Sequence, residues 1–298
     1  MKTLKFGFLL SLLLFVIGTH GQSTDVHITV EKLTPQMYML TGQGGNIGVY
    51  IGEDYVFMID DQFSRLSLKI KQAIKSITTK PIAYLLNTHM HGDHTGGNSN
   101  FNDKTTTIVA HQKVRERLIE ENKEVVSTNK LDSVTAYKKL PEITFSDAML
   151  FYDADETIMA THVHNAHTDG DAQIYFSKNN VLHMGDTYFS SKYPYIDLNR
   201  GGSVVGYINA LKKASILANE DTKIIPGHGK LSNKKELENY ILMLEAIYVS
   251  VKKEINAGKS LEQVMANNAI TAKFDATYAW SFISAEKIRE TFYKSLSK

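Results

Sequence analysis

The sequence predicts an α/β (α+β) protein: two β-sheets covered by helices, followed by a helical segment at the C-terminal end. Three observations carry that expectation. Short runs of β-type residues alternate with amphipathic stretches through most of the chain. Turns containing Gly, Asn or Pro separate those runs. From Lys234 onward the pattern is almost wholly helical, with Leu237, Ile241, Leu244 and Tyr248 at helical spacing. Strands and helices that alternate in this way bury their apolar faces by stacking in layers.

The elements follow in order. His27 to Leu33 and Met37 to Thr41 read as strands, and Gln43-Gly-Gly-Asn46 as a turn. Ile47 to Ile51 and Tyr55 to Ile59 form the next two strands, with Gly52-Glu-Asp54 turning between them. Leu66, Ile70, Ala73, Ile74 and Ile77 lie on one face of a helix. Pro81 ends that segment, and Ile82 to Leu86 is an apolar run of buried-strand type. Thr107 to Ala110 reads as strand, Gln112 to Glu121 as helix, and Ile143 to Tyr152 as a hairpin. Glu156 to Val163, Ala172 to Phe176 and Val181 to His183 are three further strands. Val204 to Ala218 is helical, and Lys223 to Ile225 is a short strand before the turn at Pro226-Gly227. No fixed-period repeat or low-complexity stretch interrupts this order.

The N-terminal residues have the tripartite form of a secretory signal. Lys2 and Lys5 are basic, Phe6 to Ile17 is apolar, and Thr19 and Gly21 supply small residues at a cleavage point after Gly21. The apolar core is too short for a stable membrane span. Residues 1–21 are therefore read as a signal peptide, 22–230 as the layered α/β domain and 231–298 as the helical extension. The expected location is exported, periplasmic or secreted, with no membrane anchor after cleavage. A chain without cysteine has no lipoprotein anchor, no disulfide and no thiolate ligand, so any metal must be held by imidazole and carboxylate. With 33 basic and 32 acidic residues the chain lacks the basic footprint of a nucleic-acid binder. The expected partner is a small-molecule substrate, and the sequence leaves the oligomeric state open.

The strongest chemical signal is Thr88-His-Met-His-Gly-Asp-His-Thr-Gly-Gly97, directly after a strand. His89, His91, Asp93 and His94 concentrate good zinc ligands in one short segment. Gly92, Gly96 and Gly97 argue against an ordinary helix and for a strand-end loop that folds side chains inward. A polar loop with coincidental histidines would not need that density. Further along, His162, His164 and His167 compete as ligands, and spacing alone does not choose among them. Asp186 is either a ligand or a turn residue, and His228 stands between two glycines that permit close backbone approach. His27 reads as a surface residue, and His111 and His183 as packing or supporting groups.

These motifs resemble those of the metallo-β-lactamase superfamily. The segment from Thr88 to Gly97 matches its HxHxDH signature. Ala166-His-Thr-Asp-Gly-Asp171 is similar to its third-histidine motif, Met184-Gly-Asp-Thr187 to its bridging-carboxylate motif, and Pro226-Gly-His-Gly229 to its final-histidine motif. Ile59-Asp-Asp61 resembles the early acidic motif, which would have Asp60 hold the histidine loop by hydrogen bonds. The resemblance implies a four-layer αββα sandwich with two zinc ions per chain at one edge. It assigns His89, His91 and His167 to one metal, Asp93, His94 and His228 to the other, and Asp186 to both. It also implies that a metal-bridged hydroxide attacks a carbonyl, with Asp93 orienting that nucleophile as well as binding metal.

Export favours a β-lactamase-like role. Where one subclass of zinc β-lactamases has a cysteine ligand, however, this chain has Asp186, and where that subclass grips the substrate carboxylate with lysine it has Phe189. Ser190, Ser191 and Lys192 are the candidate replacements. The ligand set resembles that of glyoxalase II, a thioester hydrolase, so β-lactam, ester, thioester, lactone and phosphoester substrates all stand. The alternative is a non-haem iron oxidoreductase of the sulfur dioxygenase type, since histidine and aspartate also hold iron. No Gly-x-Ser-x-Gly elbow, Walker or dinucleotide glycine pattern is present. Trp280, Tyr278 and Phe282 either pack the terminal helices against the sandwich or, for Trp280 and Tyr278, wall the substrate pocket.

Overall fold

A computed structural model describes residues 26–127 and 132–297, so the expected signal segment lies outside the described residues. Among the described residues the strands form two sheets. The first contains, in spatial order, β1 (Thr29–Lys32), β2 (Met37–Thr41), β3 (Ile47–Ile51), β4 (Val56–Ile59), β5 (Ile82–Asn87), β6 (Thr107–His111) and β7 (Ile143–Phe145). From β1 to β4 neighbours pair antiparallel, and from β4 to β7 they pair parallel. Parallel neighbours require crossover connections. These hold α1 (Ser67–Lys75), the single turns α2 (Gly92–Thr95) and α3 (Asn98–Phe101), then α4 (Gln112–Ser127) and α5 (Ser133–Lys138).

The second sheet contains β8 (Ala148–Asp153), β9 (Glu156–His162), β10 (Ala172–Phe176), β11 (Val181–His183) and β12 (Lys223–Ile225). Neighbours are antiparallel except β11 and β12, which are parallel and joined through α6 (Val204–Leu217). The chain ends in α7 (Lys234–Asn256), α8 (Leu261–Ala266), α9 (Ala272–Tyr278) and α10 (Ala285–Leu296). None of the described helices is long and apolar enough to cross a membrane.

The layers follow from the two-residue period of a strand. On β4, Phe57 and Ile59 enter the space between the sheets, while Val56 and Met58 face the other way, towards Leu66, Ile70 and Ile74 at α1. That is the helical face read from the sequence. Between the sheets, Tyr50, Phe57, Leu86 and Val109 meet Ile158, Ile174, Phe176 and Val181. Phe57 is the hub of this layer, with ring centroids 4.9 Å from Phe151 and 6.3 Å from Phe176. One buried polar contact also joins the sheets: the Tyr50 hydroxyl donates to Asp153 Oδ2 at 2.9 Å. Beyond the second sheet, Leu182 and Ile224 pack into one cluster with α6, α7 and α10 through Leu211, Leu244 and Phe292. The result is the αββα arrangement expected, with the terminal helices extending its outer layer.

Three local expectations change. Ile143 to Tyr152 is not a hairpin: β7 closes the edge of the first sheet beside β6, and β8 starts the second sheet beside β9. The Ser146-Asp147 turn carries the chain between sheets, a decision made by which neighbour each strand finds and not by the turn itself. The segment after β5 is not a plain loop, because the His91 carbonyl accepts from His94 N at 2.9 Å and Thr95 N at 3.1 Å, closing the turn of α2. Helix α5 was not anticipated; its sequence signal is Asp132 capping Thr135 N at 2.9 Å.

Phe57→Ala removes the ring at the centre of the inter-sheet layer and should lower the unfolding free energy by about 3–5 kcal/mol. Urea denaturation followed by circular dichroism measures it; a loss below about 1 kcal/mol would contradict a close-packed interface.

Candidate metal centre

All seven residues singled out as ligands stand at strand ends along one edge of the sandwich. His89, His91, Asp93 and His94 follow β5, His167 follows β9, Asp186 follows β11 and His228 follows β12. Ligand atoms of His89, His91, His167 and Asp186 lie within 4.8 Å of one another, as do those of Asp93, His94 and His228. His91 Nδ1 approaches His167 Nε2 to 2.8 Å. Asp186 stands between the groups. Its Oδ2 is 3.8 Å from His89 Nε2 and 3.5 Å from His167 Nε2, while its Oδ1 is 3.1 Å from His94 Nε2 and 3.4 Å from His228 Nε2. Asp93 Oδ2 completes the second group, 3.2 Å from His228 Nε2.

The inward atoms have the state a metal needs. His89 Nε2, His94 Nε2 and Asp186 Oδ1 are buried without a hydrogen-bond partner; His94 and Asp186 come close but are not aligned to bond. Each such orphan costs roughly 1–3 kcal/mol unless something coordinates it. Burial pushes the His89 imidazolium far below the ordinary histidine range and His167 down to about 4, so both are neutral donors. The second group behaves oppositely. Burial alone would lower His94 and His228, but Asp186 and the other nearby carboxylates outweigh it, raising His94 well above its usual value and His228 to about 9. The carboxylates there hold protons on imidazole in the place a cation would take. The donor set of imidazole and carboxylate fits zinc, or iron, at both positions.

The outward ring nitrogens are held individually. His94 Nδ1 meets Asp60 Oδ2 at 2.7 Å, and Asp60 also accepts from Thr88 N and Thr88 Oγ1, each at 2.8 Å. Thr88 Oγ1 in turn lies 3.0 Å from His89 Nδ1, so one buried carboxylate orients two histidines. His91 Nε2 lies 3.1 Å from Asp197 Oδ2, and His167 Nδ1 lies 2.7 Å from the Tyr195 carbonyl.

His228 is positioned through its backbone. Asn46 Nδ2 donates to the Pro226 carbonyl at 2.9 Å and the Gly229 carbonyl at 3.0 Å, spanning the histidine. Ser190 N donates to the His228 carbonyl at 2.9 Å, and the ring stacks on Phe189 at 5.2 Å. Two glycines make this closeness possible. A Cβ at Gly45 would lie 2.1 Å from His94 Cε1, and one at Gly227 would lie 2.0 Å from Asp186 Oδ1.

The histidines that spacing left open separate cleanly. His162 stacks on His111 at 3.8 Å, and His164 packs edge-on against His162 at 4.5 Å, so neither joins the ligand groups. His183 is buried, with Nε2 3.1 Å from the Asn46 carbonyl and Nδ1 accepting from Gly185 N, a supporting position. His27 is exposed. Asp60 stands where the acidic motif placed it. Asn46, Asp197 and Tyr195 were missed; Gly-Gly-Asn reads only as a turn, and no local signal ties it to residues near position 228.

Above the ligands opens a cavity of about 650 Å³. Phe63, Phe189, Tyr195, Trp280 and Phe282 line it with Lys192, and Asp93, His91, Asp186 and His228 form its floor. Of the two aromatic residues weighed for a pocket wall, Trp280 takes that place. Tyr278 packs instead against Tyr193 and Tyr240, at 5.9 and 5.8 Å. Of the three candidate replacements after Phe189, only Lys192 lines the cavity.

The family model of the metallo-beta-lactamase superfamily matches residues 40–228. Among solved structures, the DIM-1 metallo-beta-lactamase superposes with a TM-score of 0.60 at 19% identity, covering 74% of this chain and 99% of that one. A metallo-beta-lactamase from Pontibacter korlensis gives a TM-score of 0.60 at 14% identity, with the same 74% and 99% coverage. The inverting sec-alkylsulfatase Pisa1 from Pseudomonas sp. gives a TM-score of 0.69 at 13% identity, covering 90% of this chain and 50% of that one. This chain therefore corresponds to half of the alkylsulfatase. At these identities the likeness is one of fold.

Asp60→Asn keeps the shape of the group that orients His94 and removes its charge. Metal affinity should fall about 10–100-fold, read by chelator competition with the circular dichroism spectrum unchanged. Asn46→Ala should selectively weaken the position served by His228, giving a two-step metal release where the parent gives one. Unchanged affinity in both variants would remove these residues from the support of the site.

Proposed function

The chain belongs to the metallo-beta-lactamase superfamily, and on that premise we propose that it is an exported metallo-hydrolase with two zinc ions per chain, acting on a carbonyl-containing small molecule. The β-lactam amide is the first substrate to test, and ester, thioester and lactone are the related ones. The observation that carries the reading is the division of Asp186, one oxygen turned to each group of histidines. A single metal would leave one of those groups, with its buried orphan nitrogen, without a partner.

His89, His91 and His167 would hold one ion and Asp93, His94 and His228 the other, with Asp186 serving both; such ions would supply an acidified water and polarise a carbonyl. The protein side chains do the rest. Asp93 reaches the cavity with a partly exposed carboxylate, so Oδ2 can accept a hydrogen bond from the attacking water and fix its direction. Without metal, burial would raise the Asp93 carboxyl, but His94 and the bond from His228 outweigh it and hold the group below its usual range; a bound cation would favour the ionised carboxylate in their place. Phe189 and Trp280 exclude bulk water from one side of the site. The carbonyl substrate lies against Asp93 and His228, and no thiol or serine elbow offers a competing nucleophile.

The export part of the reading, with a periplasmic or secreted location, rests on the basic start and apolar run of residues 2–17; a small-molecule partner in place of nucleic acid rests on the near-balanced charge. Both the β-lactamases and the alkylsulfatase that share the fold are hydrolases by name, which supports hydrolysis as the reaction class.

Metal analysis by mass spectrometry should find two zinc per chain, and nitrocefin or a thioester should be turned over. A chelator should abolish turnover and zinc restore it, while Asp186→Asn should lower kcat by at least about 10²-fold. Iron in the purified protein with oxygen consumption would replace this reading with the oxidoreductase one.

A further inference from the structure

The stretch after Asp186, residues 188–197, belongs to no helix and to no strand of either sheet. It nevertheless holds three ligand rings. Near its start Phe189 stacks on His228. Near its end the Tyr195 carbonyl accepts from His167 Nδ1 at 2.7 Å, and Asp197 Oδ2 lies 3.1 Å from His91 Nε2. Asp197 N also donates to the His167 carbonyl at 2.9 Å. A carbonyl and a carboxylate only accept, so each makes the outward ring nitrogen the N–H and leaves the inward nitrogen its lone pair. A stretch with no hydrogen-bond ladder of its own takes its position from other contacts.

Tyr193 supplies that position. It is fully buried, and among the described residues every hydrogen bond it makes ends in the terminal segment. Its N–H donates to the Tyr278 carbonyl at 2.6 Å, its carbonyl accepts from Trp280 Nε1 at 3.0 Å, and its hydroxyl donates to Asp275 Oδ1 at 2.8 Å. Asp275 is held in turn. Thr271 Oγ1 donates to its other oxygen at 3.4 Å and accepts from Arg289 Nη1 at 2.6 Å. Arg289 is buried and also donates to the Met265 carbonyl and Asn268 Oδ1, each at 2.8 Å. The Asp275 carboxylate thus ends a network that joins α8, α9 and α10, and the Tyr193 hydroxyl is where that network meets the loop. From Tyr193 to Tyr195 is about 7 Å of extended chain, so a shift of the first is passed to the second.

We propose that the terminal segment positions His91 and His167 for metal through Tyr193, with the Tyr193–Asp275 hydrogen bond as the coupling contact. Both are positioning residues, since they act through Tyr195 and Asp197. What the rings hold rests on the two-zinc reading above; their orientation does not. The other end of the loop answers differently, because Phe189 and Ser190 N contact His228 directly and Asn46 spans that histidine from another strand end. Loss of the hydroxyl bond therefore acts on the position of His89, His91 and His167 and spares that of Asp93, His94 and His228. Asp275 lies beyond residue 228, where the match to the family model ends, so the coupling belongs to this chain's extension.

Tyr193→Phe removes the hydroxyl and keeps the ring, Asp275→Ala removes the acceptor, and Asp275→Asn keeps one. Ser260→Ala takes away the N-cap of α8 and touches no bond of Tyr193, so it controls for a general loosening of the terminal helices. The full zinc-loaded chain is titrated with a chelator. The metal-free chain, with isotope-labelled histidine, is followed by NMR at the His167 Nδ1–H proton. Tyr193→Phe and Asp275→Ala should release one zinc about tenfold more readily than the parent, leave the other unchanged, and broaden or erase the His167 signal. Asp275→Asn should keep the parent result in both measurements. Ser260→Ala should lower the melting temperature by about 2–4 °C and leave both measurements unchanged. Parent-like results for Tyr193→Phe and Asp275→Ala would overturn the proposal. So would an equal loss in Ser260→Ala, which reduces the effect to stability. A parent chain that binds no zinc would refute the two-zinc reading, and the His167 signal then decides the coupling by itself.

Discussion

Seven imidazole and carboxylate side chains converge on one edge of the sandwich, most of them buried, with three inward atoms left without a hydrogen bond. Such a group is unstable on its own terms, because burial removes the water that would solvate each donor. A cation at each group of ligands would resolve the conflict by giving the orphan atoms a partner. This constraint explains why so much of the surrounding structure is spent on holding rings still. Asp60 bonds two segments of the histidine loop, Asp197 and the Tyr195 carbonyl hold His91 and His167, and Asn46 spans His228. Freely turning rings would lose the geometry that makes coordination favourable.

The layered fold supplies the rigidity. Ligands sit just beyond the ends of β5, β9, β11 and β12, whose own residues are locked between helices and the opposite sheet. The two sheets meet through Tyr50, Phe57 and Phe176, so a ligand loop on one sheet keeps its distance from a loop on the other. The outer helices have a second use. By tying Tyr193 to Tyr278 and Trp280, the terminal segment closes one side of the cavity and gives the ligand-rich edge a shaped, largely aromatic wall.

Much of this was legible in the chain itself. Strand and helix positions follow from periodicity because β4 and α1 each bury a regular face. Density of ligand-type residues marked the loop after β5, and resemblance ordered the more distant ones. The errors share a cause. Ile143 to Tyr152 has hairpin residues, yet its halves join different sheets, since strand pairing is chosen by long-range neighbours. The loop containing Gly92 closes a helical turn because its ends are fixed by β5 and by Asp61, which accepts from Gly97 N.

By itself the sequence determined the classes of residue available, the order of the layers and the ligand-rich segment, because those depend on local periodicity and composition. Motif resemblance singled out His167, but only the tertiary structure gave His162 and His164 their stacked places away from the ligands, paired Asn46 with a loop 180 positions away, and brought Trp280 and Phe282, but not Tyr278, to the cavity. Each of those outcomes depends on where side chains distant in sequence meet. One chain carries no local signal for such meetings, since contact across a fold is fixed by packing and by the hydrogen bonds that buried groups must find.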